Sequence, residues 1–261
     1  MTALIALPVV IFLTLFAEKS WFFIAVLLVA AVGQWEVLAL LFGRQRSVFR
    51  ALVLLGGLVI CSAVVYAGTL AFPIVALCFM LCCLYLLFDY RDLSLVITEA
   101  GQVAFAWFYV PVLLSHLALL HQLPHGASWV FLVLLLTMGC DSTAYFVGTR
   151  YGRHRLYPAI SPKKSIEGGL GGLAGAVLMA QLSCWTFIPQ LTTLDALVIG
   201  ALVGVLGQLG DLFESMLKRS CGVKDSGAIF PGHGGMLDRL DSLLFTFPVV
   251  YLYVSGWVRP L

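Results

Sequence analysis

Long apolar runs broken by short polar stretches recur along the whole chain, near residues 3–17, 20–42, 51–69, 71–88, 101–121, 128–149, 168–188, 194–218 and 239–258. The runs are continuous rather than alternating, so they predict helices and not the period-two strands of a barrel. A helix that crosses a bilayer needs roughly 20 mostly apolar residues, and most of these runs approach that length. The first is short and fits a span, an interfacial helix or one arm of a hairpin; taken as a span it brings the count to nine. Its N-terminus lacks both a Lys/Arg-rich start and a small-residue cleavage site, so no cleaved signal peptide is expected. The pattern therefore predicts an all-α fold, a polytopic membrane helical bundle of about nine transmembrane helices.

Composition supports that solvent. Hydrophobic residues make up 61% of the 261, charged residues 11%, and the mean hydropathy is +1.03, whereas soluble domains carry about a quarter charged residues. With nine spans, one side holds Arg44, Arg46, Arg50, Arg91, Arg150, Arg153, Arg155, Lys163, Lys164, Lys218, Arg219, Lys224 and Arg239, and the other only Lys19 and Arg259. This asymmetry places the N-terminus and the basic loops in the cytoplasm and the C-terminus outside. Miscounting the short first run would change the terminus and leave the basic loops where they are. Arg44, Arg46 and Arg50 are expected to act only as topology determinants, and Trp21, Trp129 and Trp257 as interfacial anchors. His116, His121 and His125 cluster near the opposite face and are also expected at the interface.

No linker separates two domains, so residues 1–261 are expected to form one integral membrane domain, with 1–125 mainly scaffold helices and 126–261 the part in which any chemistry is expected. Its long polar connections are the loops 150–167 and 219–238, and loops of that length in compact proteins are commonly functional. Of the seven cysteines, only Cys221 lies in a polar segment. No CxxC pair suggests zinc and no base beside Cys221 suggests a nucleophile.

Chemistry concentrates in Ser215–Asp241, SMLKRSCGVKDSGAIFPGHGGMLDRLD. In the helix that enters it, Asp211, Ser215 and Lys218 fall within about 60° of one another at 100° per residue, with Glu214 on the flank. Asp211 either pairs with Lys218 to hold helices together or serves a site, because ionisable groups in spans face protein or water. The run Pro231-Gly232-His233-Gly234-Gly235 exposes backbone N–H groups that can approach an anion. Asp238 and Asp241, three apart, then open the last apolar run. Carboxylates with basic residues, rather than His and Cys, suit Mg²⁺ and a phosphate-rich ligand. Helix capping would account for Asp238 but not for the adjoining glycines.

The pattern S-x-L-K-R-x4-K-D-x-G-x2-F-P-x-H-G-G-M-x-D-R-L-D, from Ser215 to Asp241, resembles the signature of the CTP:phosphatidate cytidylyltransferases, the CDP-diacylglycerol synthases. Cys140–Gly148, Ile160–Gly168 and Gly210–Ser215 are similar to three further segments of that family, so the resemblance is specific over roughly 140–245. Residues 1–100 match only as hydrophobic spans. The family commonly has Thr where Ser165 stands, which keeps the hydroxyl.

The resemblance implies conversion of CTP and phosphatidate to CDP-diacylglycerol and pyrophosphate, in phospholipid biosynthesis in the bacterial cytoplasmic membrane. It implies Mg²⁺, as one or two divalent ions with room for a monovalent ion, membrane lipids and a homodimer as associations, and no nucleic acid. Asp211 and Asp238, with Asp241 as a weaker candidate, would be metal ligands. Ser215, Lys218, Arg239 and His233 would join Asp211 and Asp238 in catalysis. Arg219 and Lys224 would neutralise triphosphate or lipid phosphate, and Gly234 and Gly235 would offer backbone to it. Ser161, Lys163 and Lys164 would fold over the nucleotide. Asp225 orders Lys224 or contacts substrate; Asp141, inside a span, binds metal, orients a base or accepts hydrogen bonds from neighbouring helices. His233 contacts phosphate, acts as an acid toward pyrophosphate or shapes its loop.

A cytidylyltransferase for another lipid phosphate, such as an isoprenoid-derived ether lipid, shares all these features. A transporter would show internal repeats or paired broken helices, which the sequence lacks. Gly168, Gly171, Gly172 and Gly175 repeat at four-residue spacing, which in a membrane helix predicts close packing. Glu36 is either a packed polar contact or part of a lipid entrance.

Overall fold

The computed structural model describes residues 2–43, 46–90, 92–229 and 234–258. Arg44, Arg91, His233 and Arg259 lie outside the described residues. The apolar runs become ten α-helices: α1 (Thr2–Phe16), α2 (Lys19–Phe42), α3 (Ser47–Tyr66), α4 (Ala71–Phe88), α5 (Val96–Trp107), α6 (Leu113–Gln122), α7 (Gly126–Tyr151), α8 (Ile166–Thr186), α9 (Thr193–Ser220) and α10 (Leu237–Trp257). Among the described residues eight segments are long and apolar enough to span a bilayer. The first run is not one of them, because the 15 residues of α1 fall short of the roughly 20 a span needs. The chain is an integral membrane protein, a polytopic helical bundle.

α5 and α6 form one continuous segment through a π-helical turn, Phe108–Val112. Pro111 lies within that turn; it has no backbone N–H to donate, so the regular ladder is broken there. The turn buries Tyr109 against Phe105 and Phe213. The 150–167 loop is not irregular either: β1 (Arg155–Tyr157) and β2 (Ser161–Ser165) pair antiparallel. Ser165 caps α8 by accepting from Gly168 N at 3.1 Å. Glu167 fastens the start of the hairpin, accepting from Arg153 N at 3.0 Å and lying 2.7 Å from His154 Nδ1.

α7, α8, α9 and α10 pack in succession, and glycines set the spacing. The four-residue repeat faces α7: a Cβ at Gly168 would lie 2.9 Å from the Ala144 carbonyl, and at Gly172 3.0 Å from Cys140 Sγ. Gly200 and Gly204 face α8 in the same way, while Gly207 and Gly210 face α10. α2, α3 and the α5–α6 segment complete the bundle, with α4 at its edge against α3 and α5.

Some side chains pack where interfacial placement was expected. Trp129 is buried and donates to the Pro124 carbonyl at 3.0 Å, and His121 is buried in a stack on Phe22. Trp21 and Trp257 are exposed, as anchors require. Arg46 and Arg50 do more than mark topology: Arg46 pairs with Glu99 at 2.5 Å, and Arg50 lies over the Trp35 ring at 4.1 Å.

If glycine sets the α7–α8 distance, Gly172→Val overpacks the contact and lowers unfolding stability by about 1–3 kcal/mol. Gly101→Val, where a Cβ meets nothing within 4 Å, leaves it nearly unchanged. Thermal unfolding of detergent-purified protein compares the two; equal midpoints would show that the glycines do not set the spacing.

Candidate active site

Asp211, Glu214, Ser215 and Lys218 share the last three turns of α9, and Asp238 and Asp241 start α10 beside them. The helical spacing that predicted a charged face is realised: Asp211, Glu214, Ser215 and Lys218 project into the polar end of the bundle. Ser226 and Gly235, from the described segments 221–229 and 234–236, and Lys164 of the β1–β2 hairpin reach that end.

Two lysine–carboxylate pairs organise the site. Lys164, from β2, places its Nζ 2.5 Å from Asp211 Oδ2, with both side chains a little over a quarter exposed. Lys218 lies 2.5 Å from Asp238 Oδ1 and 2.5 Å from Glu214 Oε2, so one ammonium serves two acids. Glu214 is fully buried, and its Oε1 has no hydrogen-bond partner among the described residues. Ser215 Oγ stands 3.5 Å from Asp211 Oδ1, the long limit of a hydrogen bond.

The other oxygen of Asp238, Oδ2, accepts from Ser226 N at 3.0 Å, Ser226 Oγ at 3.0 Å and Gly235 N at 2.7 Å. The Gly235 N–H, expected to face a ligand, is thus given to Asp238. Gly234 has φ +80, and its Cβ position is occupied by the Asp238 carboxylate, so glycine is required there on both counts. α10 has no cap from its own N-cap residue. Instead Glu36 on α2 accepts from Met236 N and Leu237 N, each at 2.9 Å, and from Ser226 Oγ at 2.8 Å.

Beside these pairs a half-open cleft of about 580 Å³ is lined by Asp141, Arg155, Lys163, Lys164, Gln208 and Asp211, with Gly168 and Gly169 in its wall. Gly168 therefore both packs α8 on α7 and borders the cleft. Asp141 is exposed to the cleft, and its carboxylate lies within electrostatic range of Asp211 and Asp241, with Lys164 as counter-charge. Asp241 Oδ1 accepts from Ser242 N at 2.6 Å. Buried Tyr109 stands within range of Glu214, Asp241 and Asp211, its hydroxyl without a hydrogen-bond partner among the described residues.

The site thus gathers Asp141, Lys163, Lys164, Asp211, Ser215, Lys218, Gly234, Gly235, Asp238 and Asp241 from the residues the sequence singled out. Ser161 sits at the start of β2, opposite Tyr157, away from the cleft lining. Arg219 is exposed and donates to the Val223 carbonyl at 3.1 Å. Lys224 and Asp225 are exposed in the loop, and Arg239 is exposed on the first turn of α10. His233 is outside the described residues. Glu36, Ser226 and Tyr109 join the site without having been selected from sequence. For Glu36 the signal was an isolated acid in a span; for Ser226 and Tyr109 there was none.

The donor set fits a hard cation by type. Carboxylate oxygens dominate and the carboxylates of Asp141, Asp211 and Asp241 outnumber the adjacent ammonium of Lys164, which is the charge balance a Mg²⁺ site needs. Among the described residues no three Asp, Glu, His or Cys groups converge on one point, and lysines stand on the two leading candidate ligands.

Known proteins resemble this chain in sequence. A protein of Thermotoga maritima named phosphatidate cytidylyltransferase is 40% identical over 183 residues, 65% of each chain. One of the same name from Bacillus subtilis is 39% identical over 160 residues, covering 60% of this chain and 59% of that one. The uncharacterized protein YnbB of Escherichia coli is 41% identical over 168 residues, 62% of this chain and 56% of the relative. The matched regions thus cover less than two thirds of these relatives. The sequence profile described as the Cytidylyltransferase family matches residues 1–257. With that match running through every helix and through the polar end of α7–α10, the chain belongs to the cytidylyltransferase family.

Proposed function

We propose that this protein transfers the cytidylyl group of CTP to phosphatidate, giving CDP-diacylglycerol and pyrophosphate, at the cytoplasmic face of a bacterial inner membrane. The observation that carries the reading is the cleft in which Lys164 pairs with Asp211 beside Asp141 and Asp241, at the polar end of an apolar bundle. The names of the T. maritima and B. subtilis relatives supply the substrates. The one-sided placement of basic residues supplies the orientation.

In this reading a phosphate oxygen of the lipid attacks the α-phosphorus of CTP and pyrophosphate departs. The protein aligns the reactants and stabilises charge, since little covalent work falls to it. Lys163, Lys164 and Arg155 offer positive charge to the triphosphate, Arg155 with a guanidinium suited to paired oxyanion contacts. Asp211 and Asp241, with Asp141 beside them and Asp238 as the resemblance implies, would hold Mg²⁺, and Lys218 bridges Asp238 and buried Glu214. Bound Mg²⁺ supplies Lewis-acid stabilisation of phosphoryl oxygens. The apolar helices give the lipid tails a path that never leaves the membrane.

Purified protein incubated with labelled CTP, Mg²⁺ and phosphatidate is expected to form a lipid-soluble CDP product, and chelation of the metal is expected to stop it. Turnover with another lipid phosphate and none with phosphatidate would replace the substrate. Asp211→Asn and Asp238→Asn are each expected to lower kcat by about 10²-fold or more, the scale of losing one preorganised charge, while the protein still elutes as a folded species. Near-normal activity in either variant removes that residue from the site.

A further inference from the structure

We propose that Glu36 is a positioning residue for Asp238: from α2 it clamps both ends of the 226–237 loop and, through Ser226, fixes the orientation of the Asp238 carboxylate. This rests on Asp238 being a site residue, as read above. Glu36 is 4% exposed, yet it is fully engaged, with Oε1 accepting from Met236 N at 2.9 Å and Oε2 from Leu237 N at 2.9 Å and Ser226 Oγ at 2.8 Å. These are strong, charge-assisted bonds. They also give the first N–H groups of α10 an anionic partner that the helix does not supply for itself.

The link to Asp238 is the Ser226 hydroxyl. It lies 2.8 Å from Glu36 Oε2 and 3.0 Å from Asp238 Oδ2, and a hydroxyl has one proton to give. Two carboxylates far apart in sequence therefore share a single donor, so the position of one sets the hydrogen bond available to the other. Glycines hold the loop against the clamp. A Cβ at Gly227 or at Gly235 would collide with the Glu36 carboxylate, so both ends of the loop need glycine in order to close on it. Gly235 N is also a donor to Asp238, which makes one backbone segment touch both acids.

Glutamine at position 36 keeps the shape and loses one acceptor. Its amide has a single oxygen, so whichever way it turns, either Met236 N–H or Leu237 N–H faces an NH₂ group. A residue that merely caps α10 would alter stability and leave the chemical step alone. A positioning residue alters kcat, with the affinity for CTP kept.

The test uses the full chain in detergent with CTP, Mg²⁺ and phosphatidate. Glu36→Gln is expected to lower kcat about 10–100-fold, the scale seen for groups that orient a site ligand, with KM for CTP moved less than about threefold. Ser226→Ala is expected to lose about tenfold, and the double variant to be no worse than Glu36→Gln alone, because both changes cut one linkage. Wild-type kcat in Glu36→Gln, or losses that multiply in the double variant, overturns the proposal. Should Glu36→Gln fail to fold, Ser226→Ala decides alone: unchanged kcat sinks the idea, and a kcat loss at constant KM for CTP sustains it. An active Asp238→Asn would instead overturn the reading of the site; an inactive Asp238→Asn beside a fully active Glu36→Gln overturns only the positioning role.

Discussion

Lys218, held between Glu214 and Asp238, is the contact on which the polar end of this bundle depends. An ionised group in an apolar span is costly, at least ~2.5 kcal/mol on insertion scales, and removing one partner of a buried pair typically costs about 3–5 kcal/mol. α9 and α10 must therefore meet in the register that brings these charges together. Glycine permits it: a Cβ at Gly210 would press on the Asp241 carbonyl and on Phe245. Close approach and charge pairing are thus one constraint. Once it is met, Asp211, one turn before Glu214 on α9, and Asp241, one turn after Asp238 on α10, are brought to the same region.

The second lysine comes from outside the helices. Lys164 reaches Asp211 from β2, so the cleft exists only when the 152–165 segment folds back as a hairpin, which Glu167 and Ser165 fasten at its two ends. The balance of charge then bears on the proposed chemistry. Asp141, Asp211 and Asp241 face Lys164, while Glu214 and Asp238 face Lys218. A triphosphate would be repelled by this excess of carboxylates unless cations accompanied it, which is the physical argument for Mg²⁺ in the proposed reaction. Lys163 and Arg155 line the cleft from the hairpin and would meet the anion in the proposed reaction.

Apolarity made the helices legible because lipid is a uniform solvent: a long run without charge has few alternatives to crossing it. The same uniformity hid what each residue faces. Trp129 and His121 looked like interface residues, and packing against neighbouring helices claimed them, because a sequence does not distinguish lipid from protein on an apolar face. The first run failed on length alone. The hairpin was missed because β2 reads SPKKS, a polar stretch with a proline and no alternation. In the site, the shared face of Asp211, Ser215 and Lys218 followed from helical periodicity, and so did the flanking place of Glu214. The partners of Asp211 and Asp238 did not, since Lys164 and Ser226 arrive through tertiary structure, and the bond from Ser226 to Glu36 spans 190 residues.

That long bond also bears on what the first half of the chain does. α2 contributes Glu36, and the π-turn around Pro111 contributes Tyr109, whose buried hydroxyl stands among Glu214, Asp241 and Asp211. A π-turn widens the helix locally, and here it buries Tyr109 and Val110 beside the missing donor of Pro111, where a regular helix would continue its ladder. The irregularity thus coincides with the point where the scaffold meets the acids. Residues 1–125 consequently do more than surround the site: they supply the anion that caps α10 and the Tyr109 hydroxyl within range of the acids. A scaffold substitution at Glu36 or Tyr109 therefore acts on the polar cluster directly, while one at lipid-facing Leu55 or Phe72, both exposed, changes only the surface that meets the bilayer.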